Sequence, residues 1–215
     1  MKAILFIGFF SFIQTLIILP SVAQDNLLFS SEPRVINGHA FTVFEIKYSP
    51  DGEILYSCGG NNQIIVFNAE TGDQIMKTEM SDKPIHDLSV SSDGKLFAYS
   101  GYNLGKIHIT EASSLRDFVV ISDFEYVEDI CFAPGEHVLA ICGFRSDVKK
   151  QVIETYSAET GIKIRQFFIQ GTDKAYPTTI DFSPDGKNVV AFKQNVKGPK
   201  DESKLVTTSN FEEYV

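Results

Sequence analysis

The chain has no tryptophan, only three cysteines and four histidines in 215 residues, and 19 lysines and arginines against 28 aspartates and glutamates. Each shortage excludes something. Cys58, Cys131 and Cys142 are too few, and odd in number, for a disulfide framework, and at least one thiol is left unpaired within the chain. The histidines, His39, His86, His108 and His137, never stand at the short spacings of a local metal motif, so no metal site is assigned. With a formal net charge of −9 and no basic run longer than Lys149-Lys150, the chain lacks the footprint that phosphate backbones require, which excludes nucleic acid as a partner. No nucleophile elbow, phosphate-binding glycine loop, calcium loop or glycosylation sequon is present. No catalytic residue and no cofactor is therefore assigned.

What is present begins with 43% apolar and 22% charged residues, the balance of a globular chain with a sizeable core. The first residues, MKAILFIGFFSFIQTLIILPSVAQ, carry one early cation and a long apolar run, then a small-x-small site ending at Ala23. They read as a signal peptide, residues 1–23, cleaved after Ala23, for a secreted or periplasmic protein. The alternative is an uncleaved membrane anchor, because Ala3 to Pro20 reaches the spanning minimum of about 17 residues. Only in that case is the membrane a partner.

The rest repeats itself. FEIKYSPDGEILYS, HDLSVSSDGKLFAYS and TTIDFSPDGKNVVAF each join two apolar-alternating runs by a tight turn, and FAPGEHVL is a further version. The turns at Asp51-Gly52, Asp93-Gly94, Gly135-Glu136 and Asp185-Gly186 fall 42, 42 and 50 residues apart. A period near 42 suits one four-stranded antiparallel unit. Ile46 and Tyr48, Leu88 and Val90, Ile130 and Phe132, and Ile180 and Phe182 keep period two in register through four first strands. Thr71-Gly72 and Thr160-Gly161 mark turns between third and fourth strands, where glycine supplies positive φ. No helical period follows residue 24, so each sheet must cover its faces by stacking on its neighbours. Cys131 and Cys142 fall on adjacent strands of one hairpin at a diagonal offset, open to an awkward disulfide or to burial as small apolar residues.

Gly38-His39, Ser57, Asn61 and Phe67-Asn68 resemble the WD-repeat pattern of Gly-His, strand Ser, turn Asp and closing Trp-Asp. The resemblance covers residues 36–215, with Phe67, Ile109 and Tyr156 at the Trp position. It implies an all-β fold, a β-propeller of four-stranded antiparallel blades, about four of them present, in an incomplete ring. Residues 24–35 are an N-terminal segment that offers an outer closing strand. The ring is expected to be completed by a continuation of the chain or by a homodimer. An open arc is expected to leave Ile46, Ile64, Val66, Ile180 and Val190 facing water.

Asp51, Asp93 and Asp185 recur at one turn position and are turn formers, each bonding its own backbone two residues on. His39 is expected to brace its blade, and His86 beside Asp87 to be a strand-start pair. Binding variation is expected in loops between second and third strands: Arg145, Asp147, Lys149 and Lys150 in the third unit, and Lys197, Lys200, Asp201 and Glu202 in the fourth. The family resemblance, with no catalytic constellation in the sequence, implies a non-catalytic scaffold for a protein partner, and the signal peptide makes it an exported one. The alternative is the sensor or targeting part of a larger hydrolase, or a lactonase-like propeller, with Lys47, Asp87, Asp129 and Asp181 facing a central channel.

Overall fold

The computed structural model describes residues 35–80, 83–101, 103–168, 175–195 and 204–208. The expected signal peptide, nearly all of the 24–35 segment, and Lys197, Lys200, Asp201 and Glu202 lie outside these residues. Among the described residues every regular element is a strand. Blade 1 is β1 (Val43–Tyr48), β2 (Ile54–Gly59), β3 (Gln63–Asn68) and β4 (Gln74–Glu79); blade 2 is β5 (Asp87–Val90), β6 (Leu96–Ser100), β7 (Ile107–Glu111) and β8 (Asp117–Ile121). Blade 3 is β9 (Phe124–Phe132), β10 (Val138–Arg145), β11 (Lys150–Ser157) and β12 (Lys163–Phe168); blade 4 is β13 (Ala175–Phe182), β14 (Val189–Asn195) and β15 (Lys204–Thr208). Each is an antiparallel meander in sequence order, with four strands in three blades and three described in blade 4.

The recurrent turn has a common cause. Asp51 Oδ1 accepts from Ser49 Oγ at 2.5 Å and from Glu53 N–H at 3.0 Å, and Asp93 and Asp185 repeat both bonds. The glycine that follows stands at φ 76, 72 and 71° in the three turns, a region that a Cβ disfavours. The third turn has the same ladder closure, Ala133 N–H to Val138 O, but its positive φ falls one residue earlier, at Gly135.

The core is a series of seams between consecutive blades. Tyr56, Cys58, Ile64 and Val66 of blade 1 pack on Leu88, Phe97 and Tyr99 of blade 2. Ala98, Ile107 and Ile109 of blade 2 pack on Ile130, Leu139, Ile141 and Val152 of blade 3, and Ala140, Cys142 and Ile153 pack on Ile180, Phe182, Val189 and Ala191 of blade 4. The first-strand residues Leu88, Ile130 and Ile180 thus each close the seam with the blade before. Ile64, Val66 and Ile180 are buried in these seams and Val190 is half-buried, so of the five residues expected to face water only Ile46 does. Strand alternation explains the difference, since Ile64 and Val66 point to blade 2 and Ile65 and Phe67 to the other face.

One register correction follows. Phe67 pairs with Leu55 and Tyr156 with Leu139, and the matching partner of Phe97 in blade 2 is Thr110, not Ile109. Three residues separate β2 from β3 and six separate β6 from β7, and a one-residue change of register turns every side chain to the other face. Ile109 therefore points toward blade 3.

The cysteines are free thiols, Cys58 and Cys142 fully buried and Cys131 half-buried. Cys131 stands opposite Ala140 and Cys142 opposite Asp129, the diagonal offset expected. Cys58, Ser100 and Cys142 occupy one repeat position, and each is followed by a glycine. A Cβ at Gly59, Gly101 or Gly143 would come within 2.5 Å or less of the carbonyl oxygen of Thr42, Pro84 or Tyr126. These glycines let the chain entering each blade press on the end of its second strand. Gly101→Ala forces backbone apart and is expected to cost about 1–3 kcal/mol in urea unfolding, while Phe118→Ala, on an exposed outer strand, stays near wild type. Equal stabilities for the two would refute the close-approach role.

Candidate functional site: an acidic inner cleft

The innermost strands of the four blades line a cleft of about 400 Å³. Two repeat positions supply its walls. Glu45, Asp87, Asp129 and Thr179 form one tier, and Lys47, Ser89, Cys131 and Asp181, two residues on, form the other. Glu128 and His86 complete the polar lining, so five carboxyl groups share the cleft with one ammonium. The alternation of β-strands makes this arrangement, because residues flanking the seam-forming Leu88, Ile130 and Ile180 point the other way.

The tiers also fasten blades together. Asp87 Oδ2 accepts the N–H of Ile130 at 2.5 Å, Ser89 Oγ that of Phe132 at 3.0 Å, and Ser92 Oγ that of Gly135 at 2.8 Å, all from blade 2 to blade 3. Asp129 Oδ2 repeats the contact toward blade 4, accepting from Ile180 N–H and from Thr179 Oγ1, both at 2.7 Å. Glu45 is engaged instead with Lys47, 2.9 Å away. Burial, then the Asp129 charge and hydrogen bond, push the Asp87 carboxyl well above the usual carboxylate range. Burial alone would lower Lys47, but Glu45, Asp87 and Asp129 outweigh it and its pKa is raised. His86, its ring edge-on to Phe44 at 4.2 Å, is lowered by burial. Of the four polar residues expected at the channel, Asp87 and Asp129 meet directly, and Lys47 and Asp181 line the same cleft. No group of acidic, His or Cys side chains among the described residues is arranged to hold a metal ion.

The residues of the third-unit loop divide between exposed and buried positions. Asp147, Lys149 and Lys150 are exposed on the β10–β11 hairpin, with Lys150 Nζ 4.9 Å from the Phe168 ring centroid. Arg145 ends β10 and is buried. It donates to both Asp147 oxygens at 3.0 and 2.9 Å, stands 3.7 Å from Glu154, and lies over the Phe124 ring. Glu154, fully buried, also accepts from Tyr156 at 2.5 Å and Lys163 at 2.9 Å. A buried carboxylate needs such partners, and they hold Arg145 inside the blade. The same contact draws Asp147 down to about 2.

In blade 1, His39 Nδ1 lies 2.8 Å from Asn61 Oδ1 and its Nε2 2.8 Å from Ser57 Oγ, while Asn68 Oδ1 accepts from Thr71 N–H at 2.7 Å. These are residues of the WD-like pattern: His39, Ser57 and Asn61 brace the entering chain against the β2–β3 hairpin, and Asn68 fastens the β3–β4 turn. The family model for the WD domain, G-beta repeat, matches residues 30–68, the stretch that holds them all. The fold is a β-propeller, and its first blade matches a WD repeat. Solved structures similar to it include "Structure of U3-55K" (18% identity, TM-score 0.64, covering 80% of this chain and 54% of that one) and "Crystal structure of RRP9 WD40 repeats" (18%, 0.64, 80% and 53%). Another is "Kuenenia stuttgartiensis Hydrazine Synthase" (16%, 0.66, 81% and 49%). The propeller spans about half the length of each. No curated protein sequence matches it.

The raised Asp87 carboxyl sets a pH test. Folded Asp87 holds its proton more tightly than the unfolded group, with pKa about 3.9, so above that pH stability falls as pH rises toward the folded value. Asp87→Asn keeps an acceptor for Ile130 N–H and removes the charge facing Asp129. In thermal melts it is expected to match or exceed wild type at pH 8 and to gain least near pH 4, whereas Asp87→Ala melts lower throughout. An Asp87→Asn melt that tracks wild type at every pH would remove the carboxyl pair as the cause.

Proposed function

We propose that the chain is an exported, non-catalytic propeller that presents its inner cleft, with the exposed Asp147–Lys150 hairpin, to a protein partner. The observation that carries this reading is the cleft: five carboxyls around about 400 Å³, two of them, Asp87 and Asp129, already engaged as acceptors for neighbouring backbone N–H groups. Carboxyl groups fixed in that way set the shape of the cleft, and those that are ionised set its field. Propellers with WD repeats commonly mediate protein interactions, and the similarity to a structure titled "Crystal Structure of Mitotic Checkpoint Complex" (18% identity, TM-score 0.60) supports a protein partner as the class. The acidic lining calls for a basic segment of that partner, with a Lys or Arg side chain entering between the tiers.

Calorimetric titration with lysine- and arginine-containing peptides, against peptides with glutamine in their place, is the direct measurement. Binding that weakens with salt and drops about tenfold, or about 1.4 kcal/mol, in Glu128→Gln is the expected result. Equal binding of basic and neutral peptides would sink the cleft as the contact.

A second reading has one observation in its favour. Asp87 and Asp129 share a hydrogen bond in an open recess with Asp87 raised, the arrangement of a proton-sharing acid pair, and hydrazine synthase, a similar structure, is an enzyme by name. Turnover of an ester, lactone or phosphate substrate that Asp129→Asn abolishes would establish this reading and overturn the first.

A further inference from the structure

The β1–β2, β5–β6, β9–β10 and β13–β14 turns, turns 1 to 4, lie one against the next, and one junction is built unlike the others. A Cβ at Gly94 would stand 3.5 Å from the Pro50 ring and one at Gly186 3.8 Å from the Pro134 ring, so turn 2 packs on turn 1, and turn 4 on turn 3, as glycine on proline. Between turns 2 and 3 neither residue is there. Ser92 stands at the proline position and Glu136 at the glycine position. Turn 3 also lacks the pair that closes the other turns, with Ala133 and Gly135 where Ser49 bonds Asp51, Ser91 bonds Asp93 and Ser183 bonds Asp185.

Its polar groups reach outward instead. Gly135 N–H donates to Ser92 Oγ at 2.8 Å, and the His137 ring lies between two carboxylates. Nε2 is 3.0 Å from Asp93 Oδ2 of blade 2, and Nδ1 is 2.8 Å from Glu159 Oε1 in the β11–β12 turn of its own blade. A neutral imidazole carries one N–H, so only the doubly protonated ring donates to both. Asp93 is divided between two tasks, since Oδ1 accepts from Ser91 Oγ and Lys95 N–H within turn 2, while Oδ2 faces His137 and Lys95 Nζ, each 3.0 Å away. Glu136, beside the ring, is exposed, and Asp185 of turn 4 accepts from its own Ser183 and Lys187 N–H. The Glu159 hydrogen bond first, then the Asp93 contact, raise the His137 pKa over the effect of burial.

We propose that His137 is a proton-operated clasp between blades 2 and 3. With both nitrogens protonated it ties turn 3 to Asp93 and to Glu159, and when it gives one proton to solvent, one of those contacts loses its hydrogen and the bridge opens. A proline ring on a glycine has nothing to titrate, so the response is confined to this junction. A ring whose folded pKa lies above its unfolded value stabilises the fold below about 6.5 and loses that effect as pH rises through the folded value.

Imidazole titration by NMR on the full chain, with amide exchange followed at the same pH values, reads the ring and the turn together. The His137 midpoint is expected above about 6.5, and lower in Asp93→Asn and in Glu159→Gln, each of which keeps an oxygen and removes a charge. Above that midpoint the protection of Gly135 and of Ala133, whose N–H closes turn 3, relative to the unfolded chain, should fall about threefold, the size of an exposed ion pair's effect. Ser49 and Ser183, whose N–H groups close turns 1 and 4, should keep theirs. In His137→Gln the protection of turn 3 should be the same across the range. A midpoint at or below the ordinary value, turn 3 amides indifferent to it, or an equal loss in turns 1, 3 and 4 overturns the clasp. Should His137→Gln not fold, the two carboxylate variants decide the question, because a His137 midpoint that neither of them moves also overturns it.

Discussion

The N–H of Ile130 points out of its own sheet, and a carboxylate oxygen of Asp87 on the neighbouring blade receives it 2.5 Å away. A sheet edge at the inside of a stack is a row of buried donors with no strand to pair with, and an unmet buried donor costs about 1–3 kcal/mol. Side chains of the adjacent blade meet that need. Because Asp87, Ser89 and Asp129 do so at a fixed two-residue spacing, they set the height of each blade against the next. They also leave acids on the inner wall, so the acidity of the cleft follows from how the stack is fastened.

Seam composition then gives each blade its place. Tyr56, Phe97 and Tyr99 put rings whose centroids stand 4.8 and 6.5 Å apart into the first seam, the second joins aliphatic side chains with Phe124, Phe132 and Tyr156, and the third sets Ala140, Cys142 and Ala191 beside Ile153, Ile180 and Phe182. Close-packed interiors do not tolerate exchange between such surfaces, so four sheets of one plan stack in one order.

The repeating unit was legible because its causes are local. Asp51, Asp93 and Asp185 make their turns with neighbours two residues away, and period two in Leu88, Ile130 and Ile180 needs only the strand itself. The site was less legible. Their repeat position put Asp87 and Asp129 at one channel with Lys47 and Asp181, but that these two meet, 42 positions apart, depends on how one blade lies on the next. Ile109 was misplaced by the length of a loop, which a pattern of strand residues does not register. Arg145 looked like a loop cation because its partner Glu154 lies across the hairpin. Gly59, Gly101 and Gly143, by contrast, were a signal in plain view, a glycine at the end of three second strands.

Those glycines tie the local rules to the stack. Each lets the entering chain's carbonyl rest where a Cβ would stand, which brings the first strand close to the end of the second. In blade 3 that approach places the strand whose Ile130 N–H meets Asp87. Backbone proximity at one end of the hairpin and carboxylate contact at its side are thus two parts of one constraint. In blades 1 to 3 the strand that carries the cleft acids is the one that residues without a side chain let approach.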